Sequence, residues 1–447
     1  NGNQVFLMKT EKIGKDTLLS QIIEMVNSAS RSKAPIQKLT DKVSKIFVPV
    51  VMVISVLTFI FWYFFGGENR AIFALVNALA VLIVACPCAL GLATPMSVMV
   101  GIGKGARNGI LIKNAEALEE MEKVNVIITD KTGTLTEGKP SLTQIFTENI
   151  PENEAMQFAA SLNKNSEHPL SQAVLDKAKF FASAQNDNLK EVKNFKNISG
   201  RGILGEIDGK KLFLGNIHYL KENNFEISEN LLQKAQILEN DANTVSYLTI
   251  DGKAVAVFGF KDKIKENAKS AIKSLQNKGI EIMMMTGDNE ATAKSVAETL
   301  GIKKYIANCL PQDKINKVKD LQNQGKIVAM TGDGINDAPA LAQANIGMAM
   351  GTGTDIAMNS AEITLLKGDI SGVAKSKILS EKMMKNVKEN LFFAFAYNTL
   401  GIPIAAGLLY PIFGILLSPM FAAAAMSFSS VSVIANSLRL NNVKLKI

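Results

Sequence analysis

The chain has 447 residues, a net charge of +8, three cysteines and an apolar fraction of 47%, above a soluble average. That length holds several domains. No basic patch is interleaved with aromatics, which excludes a nucleic-acid partner, and three cysteines exclude a disulfide framework.

The chain opens at Asn1 with neither Met nor a signal peptide and reads as an excerpt from a longer protein. Lys15–Ser28 has the pattern of an amphipathic helix. Four apolar runs reach the ~20 residues that a bilayer span takes. They are Ile46–Phe65, Ala71–Val100, Leu391–Tyr410 and Ile412–Ala435. The polar stretch between the second and third has the size of two soluble domains. The connection Gly66–Arg70 carries one Glu and one Arg, and the turn near Pro411 is uncharged. Basic residues gather on the other side: Lys33, Lys38, Lys42 and Lys45, Lys104, Arg107 and Lys113, Lys382, Lys385 and Lys388, and Arg439, Lys444 and Lys446. That side, and the large insert with it, is expected to be cytosolic. The net charge then reflects topology and attraction to the inner leaflet.

Cys86-Pro87-Cys88 lies in the second run. On an intact helix, residues two apart point about 200° away from each other. Pro87 removes an N–H and clashes with the preceding turn, so the helix should kink or unwind there. The two sulfurs can then converge on a soft cation at membrane depth. The other reading is a plain proline kink between small residues. Cys309 reads as a small buried residue.

Val124–Thr129 is a β-branched apolar run, the pattern of a buried parallel strand, and it ends at Asp130. Ile280–Met285 runs into Thr286-Gly287-Asp288, and Ile327–Met330 into Thr331-Gly332-Asp333-Gly334-Ile335-Asn336-Asp337. Acids after three strands face the ligand crevice of a doubly wound sheet. Such a cluster suits Mg²⁺ and phosphate.

Asp130-Lys131-Thr132-Gly133-Thr134-Leu135-Thr136, Thr286-Gly287-Asp288 and Gly332–Leu341 resemble the phosphorylation domain of P-type ATPases, within the haloacid dehalogenase superfamily. With Cys-Pro-Cys on the preceding span, the chain resembles the heavy-metal branch. The resemblance implies an α/β doubly wound phosphorylation domain with an inserted α+β nucleotide-binding domain, on an all-α transmembrane bundle. It implies an ATP-driven cation translocase in which Asp130 takes the γ-phosphate. Asp333, Asp130 and the Thr132 carbonyl would hold Mg²⁺, and Thr286 and Lys314 would bind phosphoryl oxygens. Asn336 and Asp337 would orient these groups, with Lys131, Gly287 and Asp288 beside them. Thr132 stands where many phosphatases of the superfamily carry a water-activating acid, so the acyl phosphate should persist.

Ser166-Glu167-His168-Pro169-Leu170 resembles the nucleotide-binding motif of this branch, with His168 near the adenine. Gly200, Gly202, Gly215 and Asn216 match its other contacts, where absent side chains let the nucleotide approach the backbone. Asn163 stands where the family usually has Glu, which implies weaker nucleotide binding. Tyr397, Asn398, Met426 and Ser430 match the copper(I)-exporting pattern and would complete the Cu(I) site with Cys86 and Cys88. Ag(I) would serve as a soft mimic. A Zn(II)- or Cd(II)-exporting pump is the alternative, but no Asp, Glu or Lys lies between Leu391 and Ala435. Asp41 would be an entry carboxylate, or Thr40-Asp41 a helix cap. Met383-Met384 and Met283–Met285 read as packing.

The implied partners are a lipid bilayer and a soluble copper chaperone, and a monomer is compatible with the sequence. The implied location is the bacterial inner membrane. The expected domains are 1–40 (end of an actuator domain and linker), 41–111 (two spans), 112–140 and 261–378 (phosphorylation), 141–260 (nucleotide) and 379–447 (two spans). The family's Thr-Gly-Glu tripeptide does not occur, so this stretch alone is expected to bind ATP without transporting metal. A membrane-anchored phosphatase and a metal receptor without turnover are the readings from other classes. Thr132 and the thiol pair oppose the first, and the intact aspartate motifs oppose the second.

Overall fold

The computed structural model describes residues 18–86, 88–166, 169–180, 189–198, 201–241, 243–353 and 355–447. Two units emerge. A helical unit comprises Asn1–Val124, Ala361–Lys367 and Gly372–Ile447, and a two-sheet unit comprises Asn125–Ser360 and Gly368–Ser371.

In the two-sheet unit, five parallel strands lie in the order Ile346–Met350, Val328–Gly332, Val126–Asp130, Glu281–Met285 and Lys304–Ile306. The first strand in sequence is central. The chain then builds outward on one side before returning to the other, so the strand order reverses between Val126–Asp130 and Val328–Gly332. Ligands bind at such a switch point, beyond the carboxyl ends of the strands. Asp130 and Gly332-Asp333 stand there. Met283, Met284 and Met285 are buried strand core.

The second sheet is antiparallel, in the order Thr136–Thr147, Lys253–Ile264, Thr244–Ile250, Lys210–Gly215, Gly202–Ile207 and Lys193–Ile198. Its side chains alternate between two cores with a period of two, except at the register shift between Ala254 and Ala256. Leu212, Leu214, Leu248, Ala256 and Phe258 pack with the helices Glu152–Asn163 and Pro169–Ala178. Phe213, Tyr247, Ala254 and Val257 pack on the other face with Leu220, Leu231, Ala235 and Leu238.

The helical unit contains the helices Leu18–Arg31, Pro35–Phe65, Arg70–Val84, Cys88–Arg107, Ala115–Lys123, Ser371–Ala405 and Pro419–Leu438. Among the described residues, three segments are long and apolar enough to cross a membrane: Thr40–Phe65, Gly67–Arg107 and Pro419–Asn442. The run expected as Leu391–Tyr410 is the end of the Ser371 helix and stops at Ala405. Pro403 weakens its last turn, and the turn at Gly407 has φ +96°. Trp62 donates from Nε1 to the Ala406 carbonyl at 2.9 Å and pins that turn. The last long helix starts at Pro419 and not at Ile412, because Ser418 caps it by accepting from the Phe421 amide. The expected domain limit at 378/379 falls inside the Ser371 helix. That helix is fixed by buried Lys377, which donates to the carbonyls of Met121 (3.2 Å), Glu122 (2.6 Å) and Val124 (3.0 Å). These are the free acceptors where the Ala115 helix ends.

Candidate functional site

Asp130 ends its strand with the side chain buried. Lys314, from the first turns of the helix Pro311–Asn323, places its ammonium 2.5 Å from Asp130 Oδ1 and 2.7 Å from Asp337 Oδ1. Asp313, the neighbour of Lys314, holds that helix start by accepting from the Leu310 amide at 2.8 Å. Asp130, Asp333 and Asp337 bring carboxylate oxygens within 4.8 Å of one another. Burial, then the charge of Asp337, pushes the Asp130 carboxyl up to about 7 against the pull of Lys314. Asp333 is raised by burial and again by Asp337. Burial opposes the charge on Lys314, yet Asp130 and Asp337 outweigh it and raise its pKa. Three crowded carboxylates facing one ammonium suit a hard divalent cation with oxygen ligands, so the donor set fits Mg²⁺.

Around this centre, Lys131 pairs with Asp288 at 2.6 Å, and Thr286 donates to the same carboxylate at 2.6 Å. Gly287, Thr132 and Asn336 are exposed at the rim. The loop after Asp130 passes Asp333 so closely that a Cβ on Gly133 (φ +69°) would lie 1.5 Å from its Oδ2. Only glycine fits there. Lys265 was not foreseen from the sequence. Its Nζ donates to the carbonyls of Gly133, Thr134 (3.2 Å) and Gly368 (2.7 Å). Burial lowers its pKa, opposed by Asp333. Its setting, Lys261-Asp262-Lys263-Ile264-Lys265, has the look of a solvated strand face.

A cavity of about 320 Å³ opens beside the antiparallel sheet, lined by Asn163, Ser166, Arg201, Gly202, Gly215 and Asn216 among others. Asn163 is buried and donates an amide N–H to the Ala159 carbonyl at 2.8 Å, which leaves its side-chain oxygen as an acceptor. Gly202 and Gly215 face each other across paired strands. A Cβ on Gly202 would meet the Leu214 carbonyl at 2.3 Å, and one on Gly215 the Arg201 carbonyl at 2.2 Å. Close approach of two backbones therefore demands these glycines, a requirement not foreseen from the sequence, and both also line the cavity. Asn216 caps the helix Ile217–Glu222 by accepting from the Tyr219 amide at 3.2 Å. Pro169 begins its helix. Glu167, His168 and Gly200 lie outside the described residues.

In the helical unit, one helix ends at Val84 and the next begins at Cys88. Pro87 lies outside the described residues. The break turns Cys86 and Cys88 toward each other, and the structure joins them as a disulfide with Cα atoms 5.4 Å apart. Three cysteines spoke only against a disulfide framework, and this single bridge between residues two apart was not foreseen from the sequence. Cys86 is half-buried and Cys88 exposed, and the residues flanking them in sequence belong to two apolar clusters. On one side Val84 and Ala85 pack with Ile402 and Ala422. On the other, Ala89, Leu90 and Ala93 pack with Ala394 and Val433. On the facing helices the intervening buried residues include Asn398, Met426 and Ser429. Among the described residues, Asn398 Oδ1 and Ser429 Oγ have no hydrogen-bond partner. Ser430 is half-buried and bonds back to the Met426 carbonyl at 3.4 Å, and Tyr397 is 48% exposed. The buried hydroxyl is thus that of Ser429, which sequence reading passed over. Asp41 is exposed inside the helix Pro35–Phe65, whose N-cap is Ala34, so Thr40-Asp41 is not a cap. Cys309 is buried, and Met383 and Met384 are packed in the Ser371 helix.

A parallel sheet with Asp130 at its switch point and a lysine between two carboxylates defines a catalytic domain of the haloacid dehalogenase type. The family model for haloacid dehalogenase-like hydrolases matches residues 124–345. A copper-exporting P-type ATPase of Legionella pneumophila is 52% identical over 440 residues, 98% of this chain and 59% of that protein. A solved zinc-transporting PIB-type ATPase in the E2.Pi state matches with a TM-score of 0.76 at 29% identity, over 95% of this chain and 68% of that one. The catalytic domain of the CPx-ATPase CopB-B matches with a TM-score of 0.51 at 32% identity, over 62% of this chain and 98% of that one. The chain belongs to the heavy-metal P-type ATPases, the group with a Cys-Pro-x motif. It spans little more than half the length of the curated relatives it matches.

Proposed function

We propose that the chain carries the ion path and the catalytic parts of an ATP-driven exporter of Cu(I), with Ag(I) accepted, in a bacterial inner membrane with the insert cytosolic. The observation that carries this reading is the Lys314 ammonium held between buried Asp130 and Asp337 at the sheet's switch point. Asp130 attacks the γ-phosphorus of ATP; its Oδ–P bond forms as the bond to the bridging oxygen of ADP breaks. Lys314 and Thr286 meet the charge on the transferring oxygens, and Asp337 keeps Lys314 in place. Asn336 and Gly287 complete the rim, and buried Lys131 holds Asp288. Asp130, Asp333 and the Thr132 carbonyl are the Mg²⁺ ligands, and the ion when bound supplies charge neutralisation between carboxylates and phosphate. Thr132 leaves no acid to activate water, so the acyl phosphate persists until another element triggers its hydrolysis.

The nucleotide enters the cavity beside the antiparallel sheet, with Asn163, Glu167, His168, Pro169, Gly200, Gly202, Gly215 and Asn216 around it. A soluble copper chaperone delivers the ion, Asp41 attracts it at the entrance, and Cys86 and Cys88 bind it with Tyr397, Asn398, Met426 and Ser430. Thiolates and a thioether suit Cu(I), and the absence of acid or lysine from Leu391 to Ala435 disfavours Zn(II). ATPase rates of the full-length protein with each metal test the reading. Stimulation by Cu(I) and Ag(I) is expected, and stimulation by Zn(II) alone would select the zinc reading.

Asn163 offers a neutral acceptor where the resemblance expects a carboxylate. Charge-assisted hydrogen bonds are about 1 kcal/mol stronger than neutral ones, so Asn163→Glu should tighten ATP binding about fivefold. Calorimetric titration measures this, and unchanged affinity would remove Asn163 from the nucleotide site.

A further inference from the structure

A second polar cavity, of about 400 Å³, opens between the Ser371 helix and the residues that follow the Pro419 helix, lined by Lys382, Lys385, Asn386, Glu389, Arg439 and Lys444. Four of these are cations and one is an acid. Glu389 lies 3.9 Å from Lys385 and also accepts from Asn436 at 3.4 Å. Arg439 donates to the neutral Asn436 at 2.8 Å. Lys382 and Lys444 have no ion-pair partner among the described residues. Neighbouring lysines are already engaged: Lys388 with Glu122 at 3.1 Å, and Lys377 with three carbonyls.

The floor is rigid. Asn386 is buried, accepts from Ser97 at 2.8 Å and donates to the Asn436 carbonyl at 2.9 Å. Asn390 donates to Ser97 at 3.0 Å and Ser437 at 2.9 Å, tying three helices together beneath the cavity. One helical turn beyond Lys388 and Glu389, Phe392 and Phe393 are exposed, as is Leu438 on the neighbouring helix. Charge thus gives way to an apolar wall over one turn, as headgroup gives way to acyl chain in a leaflet.

We propose that this cavity binds the headgroup of an anionic phospholipid, with the acyl chains against Phe392, Phe393 and Leu438. The site rests on the reading that these helices cross a membrane with this end cytosolic. A free phosphate would satisfy the cations but leave the adjoining apolar wall uncovered, so the lipid is the occupant. Each basic group near an anionic surface contributes roughly fivefold in affinity.

The test uses the full-length protein in phosphatidylcholine vesicles carrying spin-labelled phosphatidylglycerol or phosphatidylcholine, with the motionally restricted fraction read by electron paramagnetic resonance. The parent should prefer phosphatidylglycerol severalfold. The combined variant Lys382→Gln, Lys385→Gln, Arg439→Gln and Lys444→Gln should bring the two lipids near parity. The charge-keeping set Lys382→Arg, Lys385→Arg and Lys444→Arg should retain the preference, which separates charge from folding. Equal preference in parent and glutamine variant would overturn the site. Loss of the parent's preference in millimolar inorganic phosphate would make it a free-anion site and overturn the lipid. Absence of contact with either lipid would overturn the membrane-crossing reading, and this site with it.

Discussion

Asp130→Asn is expected to abolish the hydroxylamine-sensitive phosphoenzyme formed from radiolabelled ATP and to lower metal-stimulated ATPase by at least about 10⁴-fold, the scale on which loss of a nucleophile acts. The amide is nearly isosteric but cannot attack phosphorus. The protein should nevertheless keep its thermal midpoint or raise it. Burial and Asp337 disfavour the charged form of Asp130 in the folded chain and push its pKa up to about 7. A group whose folded pKa is raised above its unfolded value removes stability as pH rises between the two. Replacing it with a neutral side chain removes that penalty at neutral pH, and Lys314 retains Asp337. A fall in thermal midpoint that parallels the lost activity would make Asp130 structural. Survival of the phosphoenzyme would place the nucleophile elsewhere.

That site was legible because its acids terminate β-branched or apolar runs, which a sheet aligns at one edge regardless of what lies between them in sequence. The break at Cys86–Cys88 was legible for a similarly local reason, since proline removes a helix N–H and crowds the preceding turn, although Pro49 and Pro95 stand inside helices that continue past them. Lys265 was not legible. Its alternating neighbours mark a solvated strand, and only the folded chain carries the Gly133 and Gly368 carbonyls to its ammonium. The backbone reason for Gly202 and Gly215 was not legible, since strand register decides which glycines lie back to back, and register is not visible in one strand. Span limits drifted as well. Hydropathy runs on through Ile412–Ser418 without change, whereas the backbone begins its helix where Ser418 and Pro419 supply a cap and a first turn. Likewise the Ser371 helix runs unbroken through its Lys- and Glu-rich half, because Lys377, Ser380 and Asn386 bury polar groups against partners distant in sequence.

Cys88→Ser and Cys86→Ser are each expected to reduce Cu(I)-stimulated phosphorylation to the metal-free level, more than about 100-fold, because even outer-shell partners of metal ligands are worth 10–100-fold. Serine keeps the volume and the helix break but offers a hard oxygen that does not ionise at neutral pH, where Cu(I) needs a soft thiolate. The apolar residues next to the two cysteines, Val84, Ala85, Ala89 and Leu90, supply no substitute donor. ATP affinity measured by calorimetry should stay at the parent value, since the nucleotide cavity lies in the other unit. The disulfide seen between the two residues makes the test sharper. Its bond engages both sulfurs, so the parent without reductant should respond to Cu(I) no better than either serine variant, and reductant should restore only the parent. If the pair served as a covalent brace across the helix break, serine and reductant would both lower the thermal midpoint while leaving the metal response intact. Retained Cu(I) stimulation in Cys88→Ser would therefore refute the cargo site and favour the brace.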